Sequence, residues 1–278
     1  MGASPFLPNP NLESRISNPK KGTSMTEVLF SLESGEGRIT INRPGKSNAL
    51  SPDTLKEVRR VLHEAGQDPA VHVITITGTG EKVFCAGLDL KASLSPDSGQ
   101  SFSRSDFRQL LIEIVQCPKP TVTLVRGHVM GGGIGIVLAS DLSLACSDVH
   151  FSTPEIQVGM FPMMVMGLLY RNVGRKKATE MMFLGERITA PQAQELGIIN
   201  HAYDRDRFES AAREFLQKLI AKSSTILKMG KEAISRVLDE KLAGEERFLE
   251  SALAEVMATD DSKEGIRAFV EKRQPKWK

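Results

Sequence analysis

Three short stretches carry the residue types that chemistry needs. Ser152-Thr153-Pro154-Glu155-Ile156-Gln157-Val158-Gly159 sets one carboxylate, Glu155, among apolar neighbours. Desolvation raises the pKa of such a group and lets it move protons near neutrality; read alone, the same residue is equally a helix cap or half of a salt bridge. Gly127-His128-Val129-Met130-Gly131-Gly132-Gly133-Ile134-Gly135 joins an expected strand to an apolar helix. Backbone N–H groups at a helix start are free, lie at the positive end of the dipole, and can hold an anion or a developing oxyanion. The run fits G-x-G-x-x-G in no register, because its sixth position is Ile136 or Leu138, and it lacks a G-K-[ST] ending, so a nucleotide site is a poor reading. The third stretch, Val83-Phe84-Cys85-Ala86-Gly87-Leu88-Asp89-Leu90, offers small residues that let a ligand approach the main chain. Its bland reading is a tight loop after a strand.

These stretches need elements to place them. Val28–Glu33 and 38–42 read as two strands of a hairpin around Gly35 and Gly37. Ser51-Pro52-Asp53 is a helix start, with the serine as N-cap and proline in the first turn, and Leu55, Val58, Val61, Leu62 and Ala65 follow at helical period. The β-branched run 71–77 is a buried strand. Ser105 is expected to cap a helix with Phe107, Leu110, Leu111, Ile114 and Val115 on its apolar face, ended by Pro118 and Pro120. Strands follow at Thr121–Val125 and 142–145, with a short apolar helix to Ala139 between them. Beyond about residue 205 only helical periods remain, in three apolar stripes: 208–219, 226–238 and 248–257. The expected division is a disordered tail over 1–24 with Met25 as an alternative start, an α/β core over 25–205, and a helical region over 206–278 whose surplus apolar stripes suggest packing on a neighbouring subunit.

Composition narrows the function. At 278 residues the chain buries a large core without staples, and its 40% hydrophobic and 25% charged residues argue against wholesale disorder. Thirty-six basic against 34 acidic residues give a net charge of +2, which provides no electrostatic case for nucleic acid or an anionic membrane. Cys85, Cys117 and Cys146 have no metal-ligand spacing, no metal site is expected, and an odd unpaired set suggests a reducing compartment. No window reaches 18 consecutive apolar residues. The expected location is cytoplasmic, or mitochondrial if the source is eukaryotic and the tail acts as a transit peptide.

Taken together and in this order, the three stretches resemble the enoyl-CoA hydratase/isomerase family, also called the crotonase family. The resemblance covers about residues 26–277. It includes Asn42-Arg43-Pro44, Asn48-Ala49-Leu50, Thr189-Ala190-Pro191-Gln192-Ala193, Leu196-Gly197-Ile198-Ile199 and Ala268-Phe269-Val270-Glu271-Lys272-Arg273. It implies an α/β fold, a crotonase-like ββα spiral core with a helical C-terminal region that drives homotrimers, often paired into hexamers. It implies an acyl-CoA thioester as substrate, coenzyme A being part of that substrate and no other cofactor being needed. By the same matching, the thioester oxygen lies between the N–H groups of Ala86 and Gly132. Ala86, Gly87, Leu88 and Asp89 hold the adenine end of coenzyme A, with Phe269 and Lys272 beside it across a subunit interface.

Two departures from the family pattern matter. The well-studied hydratases place one glutamate two residues after the glycine triplet and a second in the P-E motif; here the first position is Gly135 and the second is Glu155. Hydration of a 2-enoyl-CoA divides readily between two carboxylates, whereas a 3-enoyl to 2-enoyl shift needs one base. The resemblance therefore leaves hydration and isomerisation both open, with Glu155 as acid/base. The glycine-rich stretch usual after the P-E motif reads Pro162-Met163-Met164-Val165-Met166-Gly167, which puts Met163 and its neighbours against an apolar acyl group. Other readings are thioester hydrolysis, decarboxylation, a low-turnover acyl-CoA-binding or scaffolding role, and RNA binding, the last unsupported by the charge. His128 and His150 are weaker replacement acids, Cys85 reads as a buried thiol, and Asp141 as structural.

Overall fold

The computed structural model describes residues 26–89 and 104–276, excluding the side chains at 104, 235–249, 252 and 261; the tail expected over 1–24 lies outside the described residues. Strands β1 (Val28–Glu33) and β2 (Glu36–Ile41) pair antiparallel. Their two-residue turn, Ser34 and Gly35, takes positive φ at both positions, as a tight hairpin with native twist requires. Helix α1 (Pro52–Gln67) starts as its sequence dictates: Ser51 accepts from the Thr54 N–H, and Pro52 occupies the first turn, where no N–H is needed.

Three repeats of a two-strand unit then build the core. The chain runs β3 (Val73–Gly78), β4 (Val83–Cys85), α2 (Arg104–Gln116), then β5 (Thr121–Val125), β6 (His128–Met130), α3 (Gly132–Ala139), then β7 (Leu142–Cys146) and β8 (His150–Ser152). In each repeat the first strand joins a six-stranded sheet ordered β1-β2-β3-β5-β7-β10. The second joins a four-stranded sheet ordered β4-β6-β8-β9. Apart from the β1/β2 and β8/β9 edges, every pairing is parallel. Parallel strands buried on both faces carry continuous apolar or β-branched runs, and β3 and β5 are buried along their whole lengths. This alternation between two sheets is the ββα spiral that the resemblance implies.

After β8 a 3-10 turn (Pro154–Val158) leads to α4 (Met163–Asn172), α5 (Arg175–Leu184), β9 (Ile188–Thr189), α6 (Ala190–Glu195) and β10 (His201–Tyr203). Helices α7 (Arg205–Ile220), α8 (Ser224–Ala258) and α9 (Asp260–Glu271) complete the chain. Two expectations change. Helix α2 already contains Arg104, so Ser105 lies in its first turn rather than capping it. The second and third apolar stripes belong to one 35-residue helix, α8, because no proline interrupts the i, i+4 ladder between them and the lone Gly244 is tolerated. Lys231 fastens the first half of α8 to the core: its ammonium lies 2.6 Å from Asp141 Oδ2 and donates to the Ile114 and Lys119 carbonyls. Asp141 also accepts from the Thr121 N–H at 2.7 Å. Among the described residues no helix is long and apolar enough to cross a membrane, and no group of three side chains could hold a metal ion.

Candidate active site

The 3-10 turn that carries Glu155 is forced by its neighbours. Pro154 fixes its first position, and Gly159 closes it with φ +70°. The Met160 N–H donates to the Glu155 carbonyl at 3.0 Å. Helix α9 presses on the turn so closely that a Cβ on Gly265 would stand 2.4 Å from the Val158 carbonyl oxygen. On the other flank, Thr153 Oγ1 donates to the Met181 carbonyl of α5. Glu155 is thus held from both sides. The residue keeps some surface, but its Oε2 is sealed and has no hydrogen-bond partner among the described residues. Burial pushes its carboxyl up to about 7, against the smaller opposing pull of its own backbone N–H.

The carboxylate faces the glycine run. Gly131 has φ +52° and ψ −127°, a conformation closed to residues with a Cβ, and a Cβ there would stand 3.2 Å from Glu155 Oε1. Gly132 opens α3, so its N–H has no intrahelical partner. Across from it runs the 86–89 loop. Gly87 has φ +84°, and a Cβ on it would lie 2.6 Å from the Gly132 nitrogen, so the two backbones touch.

The hydrogen bonds of that loop settle which N–H groups are free. Ala86 N–H donates to the Ser47 carbonyl at 3.1 Å, so it does not supply the free donor expected of it. Leu88 pairs with Leu50 as an isolated parallel bridge, in which the Leu50 N–H meets the Gly87 carbonyl and the Asp89 N–H meets the Leu50 carbonyl. Successive amides point to opposite sides in such a bridge, which turns the Leu88 N–H away from Leu50. Among the described residues nothing accepts from Leu88 N–H or Gly132 N–H. The loop itself is braced by Arg43, whose guanidinium lies 3.1 Å from Asp89 and 2.9 Å from Glu27 and donates to the Ala49 carbonyl. Asn48, buried and with φ +52°, donates to the Thr79 and Val83 carbonyls and accepts from the Arg43 N–H.

A cavity of about 580 Å³ joins these parts. Ala86, Leu88, Gly132, Glu155, Met163 and Phe269 all line it. Gly87 lies just behind, against Gly132. Three other expected residues lie elsewhere. Gly135 is packed behind Phe107, Leu111 and Val165, so it meets core rather than ligand. Asp89 spends its carboxylate on Arg43, and Lys272 caps α9 in a left-handed conformation, exposed and off the cavity wall. Phe269 reaches the cavity from its own chain, where the resemblance put it across a subunit interface. Met160 and Met164 line the wall, whereas Met166 packs on the core.

Sequence reasoning missed Phe107, which reads only as a core position of an apolar helix face, and the C-terminal Leu253, Met257 and Arg273, which meet the cavity through tertiary packing. Among the described residues Glu155 is the only acid on the wall. His128 accepts from the His150 N–H through Nδ1 at 3.1 Å and is off the cavity. Cys85 is buried, with its thiol pushed up to about 12, and is inert as a nucleophile. What remains is one buried carboxylate of raised pKa and, among the described residues, two free backbone donors around a largely apolar cavity.

Comparison with known proteins agrees in every quarter. The family described as Enoyl-CoA hydratase/isomerase matches residues 32–278. The short-chain-enoyl-CoA hydratase of Clostridium acetobutylicum is 31% identical over 260 residues, covering 90% of this chain and 97% of the relative. The mitochondrial enoyl-CoA hydratase of Pongo abelii is 32% identical over 279 residues, covering 99% and 91%. Among solved structures, a carnitinyl-CoA hydratase from Mycobacterium avium superposes with a TM-score of 0.82 at 30% identity, covering 92% of this chain and 99% of that one.

Proposed function

The chain belongs to the enoyl-CoA hydratase/isomerase family, and from that premise we propose that this enzyme shifts the double bond of a 3-enoyl-CoA thioester to the 2-position, with Glu155 as its single proton carrier. The observation that carries the reading is the enclosed Glu155 carboxylate beside the Gly131–Gly132 step, its Oε2 without a partner among the described residues.

The steps follow from the free groups. The thioester oxygen sits between the N–H groups of Leu88 and Gly132. As C2 loses its proton, negative charge moves onto that oxygen, and two fixed donors stabilise it at the moment it forms. The Glu155 carboxylate takes the C2 proton and so becomes the acid. The dienolate then recovers that proton at C4, which restores the carboxylate and leaves the double bond between C2 and C3. No other proton donor, no water and no further cofactor enters the balance. A pKa near 7 suits both halves, since the group must accept and release the proton with little bias.

Hydration is the second reading, favoured by the hydratase names of the two relatives above. It asks Glu155 both to activate water and to deliver a proton to C2. Glu155→Gln tests the role common to both: loss of turnover by at least 100-fold with unchanged thioester binding is expected, and retention of most of the rate overturns it.

The proposal extends to assembly as a homotrimer or a pair of trimers. The first half of α8 supports it by exposing Ile226, Met229 and Ile234 at 66%, 60% and 61%. Light scattering on the purified chain checks it, a monomer contradicting it.

A further inference from the structure

The Gly131–Gly132 step is flanked on one side by Glu155 and on the other by a ring. A Cβ on Gly132 would stand 3.0 Å from Phe107 Cζ, and one on Gly135, a turn further along the same face of α3, would stand 3.2 Å from the same atom. Phe107 therefore lies along the helix start from the free Gly132 N–H to Gly135, fully buried, and closes the cavity from behind that step. Its backbone is fixed from outside. Arg59 of α1 grips α2 at two turns, 2.8 Å from Asp106 and 2.7 Å from Glu113, with Phe107 between them. Val165 Cγ1 and Leu111 Cδ2 close the remaining space about Gly135, at 2.9 Å and 3.2 Å from a Cβ there. The packing behind the Gly132 donor, about Gly135, is thus hydrocarbon. It offers water no hydrogen-bond partner, and no polar side chain can be seated in it without displacing the ring.

We propose that Phe107 determines the outcome of the reaction by keeping water from the reacting carbons, so that the proton taken from C2 stays on Glu155 until it reaches C4. This rests on the isomerase reading above. With the ring in place the intermediate is protonated from Glu155 before the carboxyl exchanges with solvent. Without it, water reaches the carboxyl and C3, and both exchange and hydration rise.

The test follows 3-enoyl-CoA turnover in deuterium oxide, reading deuterium at C4 of the 2-enoyl product and the ratio of hydrated to isomerised product. Wild type is expected to carry mostly the original proton. Phe107→Ala is expected to raise both the C4 deuterium and the hydration ratio at least threefold, and Phe107→Val is read by the same threshold if the alanine variant does not fold. Leu111→Ala is the control: it empties space on the same side of Gly135 but does not line the cavity, so its label should match wild type. A smaller rise than threefold, or an equal rise in Leu111→Ala, overturns the role of Phe107 and leaves the isomerase reading standing. A wild type that isomerises no 3-enoyl-CoA overturns both.

Discussion

Glu155 Oε1 lies 3.2 Å from where a Cβ on Gly131 would stand, and Gly131 holds a positive φ of +52°. The Glu155 carboxylate and the glycine run are therefore built against one another. Gly131→Ala adds both backbone strain and a contact on the carboxylate. The strain costs about 1–3 kcal/mol. The expected result is a fall in kcat larger than the loss of stability explains, measured as kcat against the urea midpoint; a stability loss with normal kcat contradicts the apposition.

Burial moves the Glu155 carboxyl from an ordinary 4.5 to about 7, which gives two pH dependences. The base form is needed for the first proton transfer, so kcat/KM should rise with pH through about 7 and then level. For stability, the group is protonated in both states below about 4.5 and ionised in both above about 7. Between them the folded state keeps a proton that the unfolded state releases, so this group's contribution falls as pH rises, by about 3 kcal/mol in all. Glu155→Gln should therefore melt higher than wild type at pH 8 and lose that advantage toward pH 5. A constant difference across that range contradicts the burial argument.

Gly87→Ala should close one oxyanion donor. The new Cβ would lie 2.6 Å from the Gly132 nitrogen, at a φ of +84°. Loss of one such donor costs roughly 100- to 1,000-fold in kcat. Steady-state kinetics on a folded variant read this directly, and an unaffected kcat contradicts the assignment of Gly132.

Much of this was legible beforehand. Ser51-Pro52 announces α1, the β-branched Thr121–Val125 is β5, and Gly132–Ala139 starts and ends as its glycines and apolar run require. Glu155 stood out because a carboxylate among apolar residues must have a reason. What was not legible depends on direction and on distant contacts. Residue types do not encode which way an amide points, so the resemblance puts the donor on Ala86, whereas that N–H is taken by Ser47 and the Leu88 N–H is the free one. Nor does the sequence show that Phe107, 28 residues before Gly135, fills the space beside it. The C-terminal wall was hidden for the same reason: Met257 and Arg273 meet the cavity only through the packing of α8 and α9.

Lys231→Met should detach the first half of α8. The Lys231 side chain is 8% exposed and its ammonium pairs with Asp141 at 2.6 Å. Removing one partner of a buried pair costs about 3–5 kcal/mol, and Asp141, which keeps some contact with water, puts this pair at the lower end. Chemical denaturation checks the size, and a change below about 1 kcal/mol contradicts the role of this pair as a fastening.

The most direct measurement is a paired assay on the purified protein, crotonyl-CoA for hydration and a 3-enoyl-CoA for isomerisation, each repeated with Glu155→Gln. The single-carboxylate account predicts isomerisation that is faster than hydration and that vanishes in the variant. Fast hydration of crotonyl-CoA with no isomerisation would contradict it.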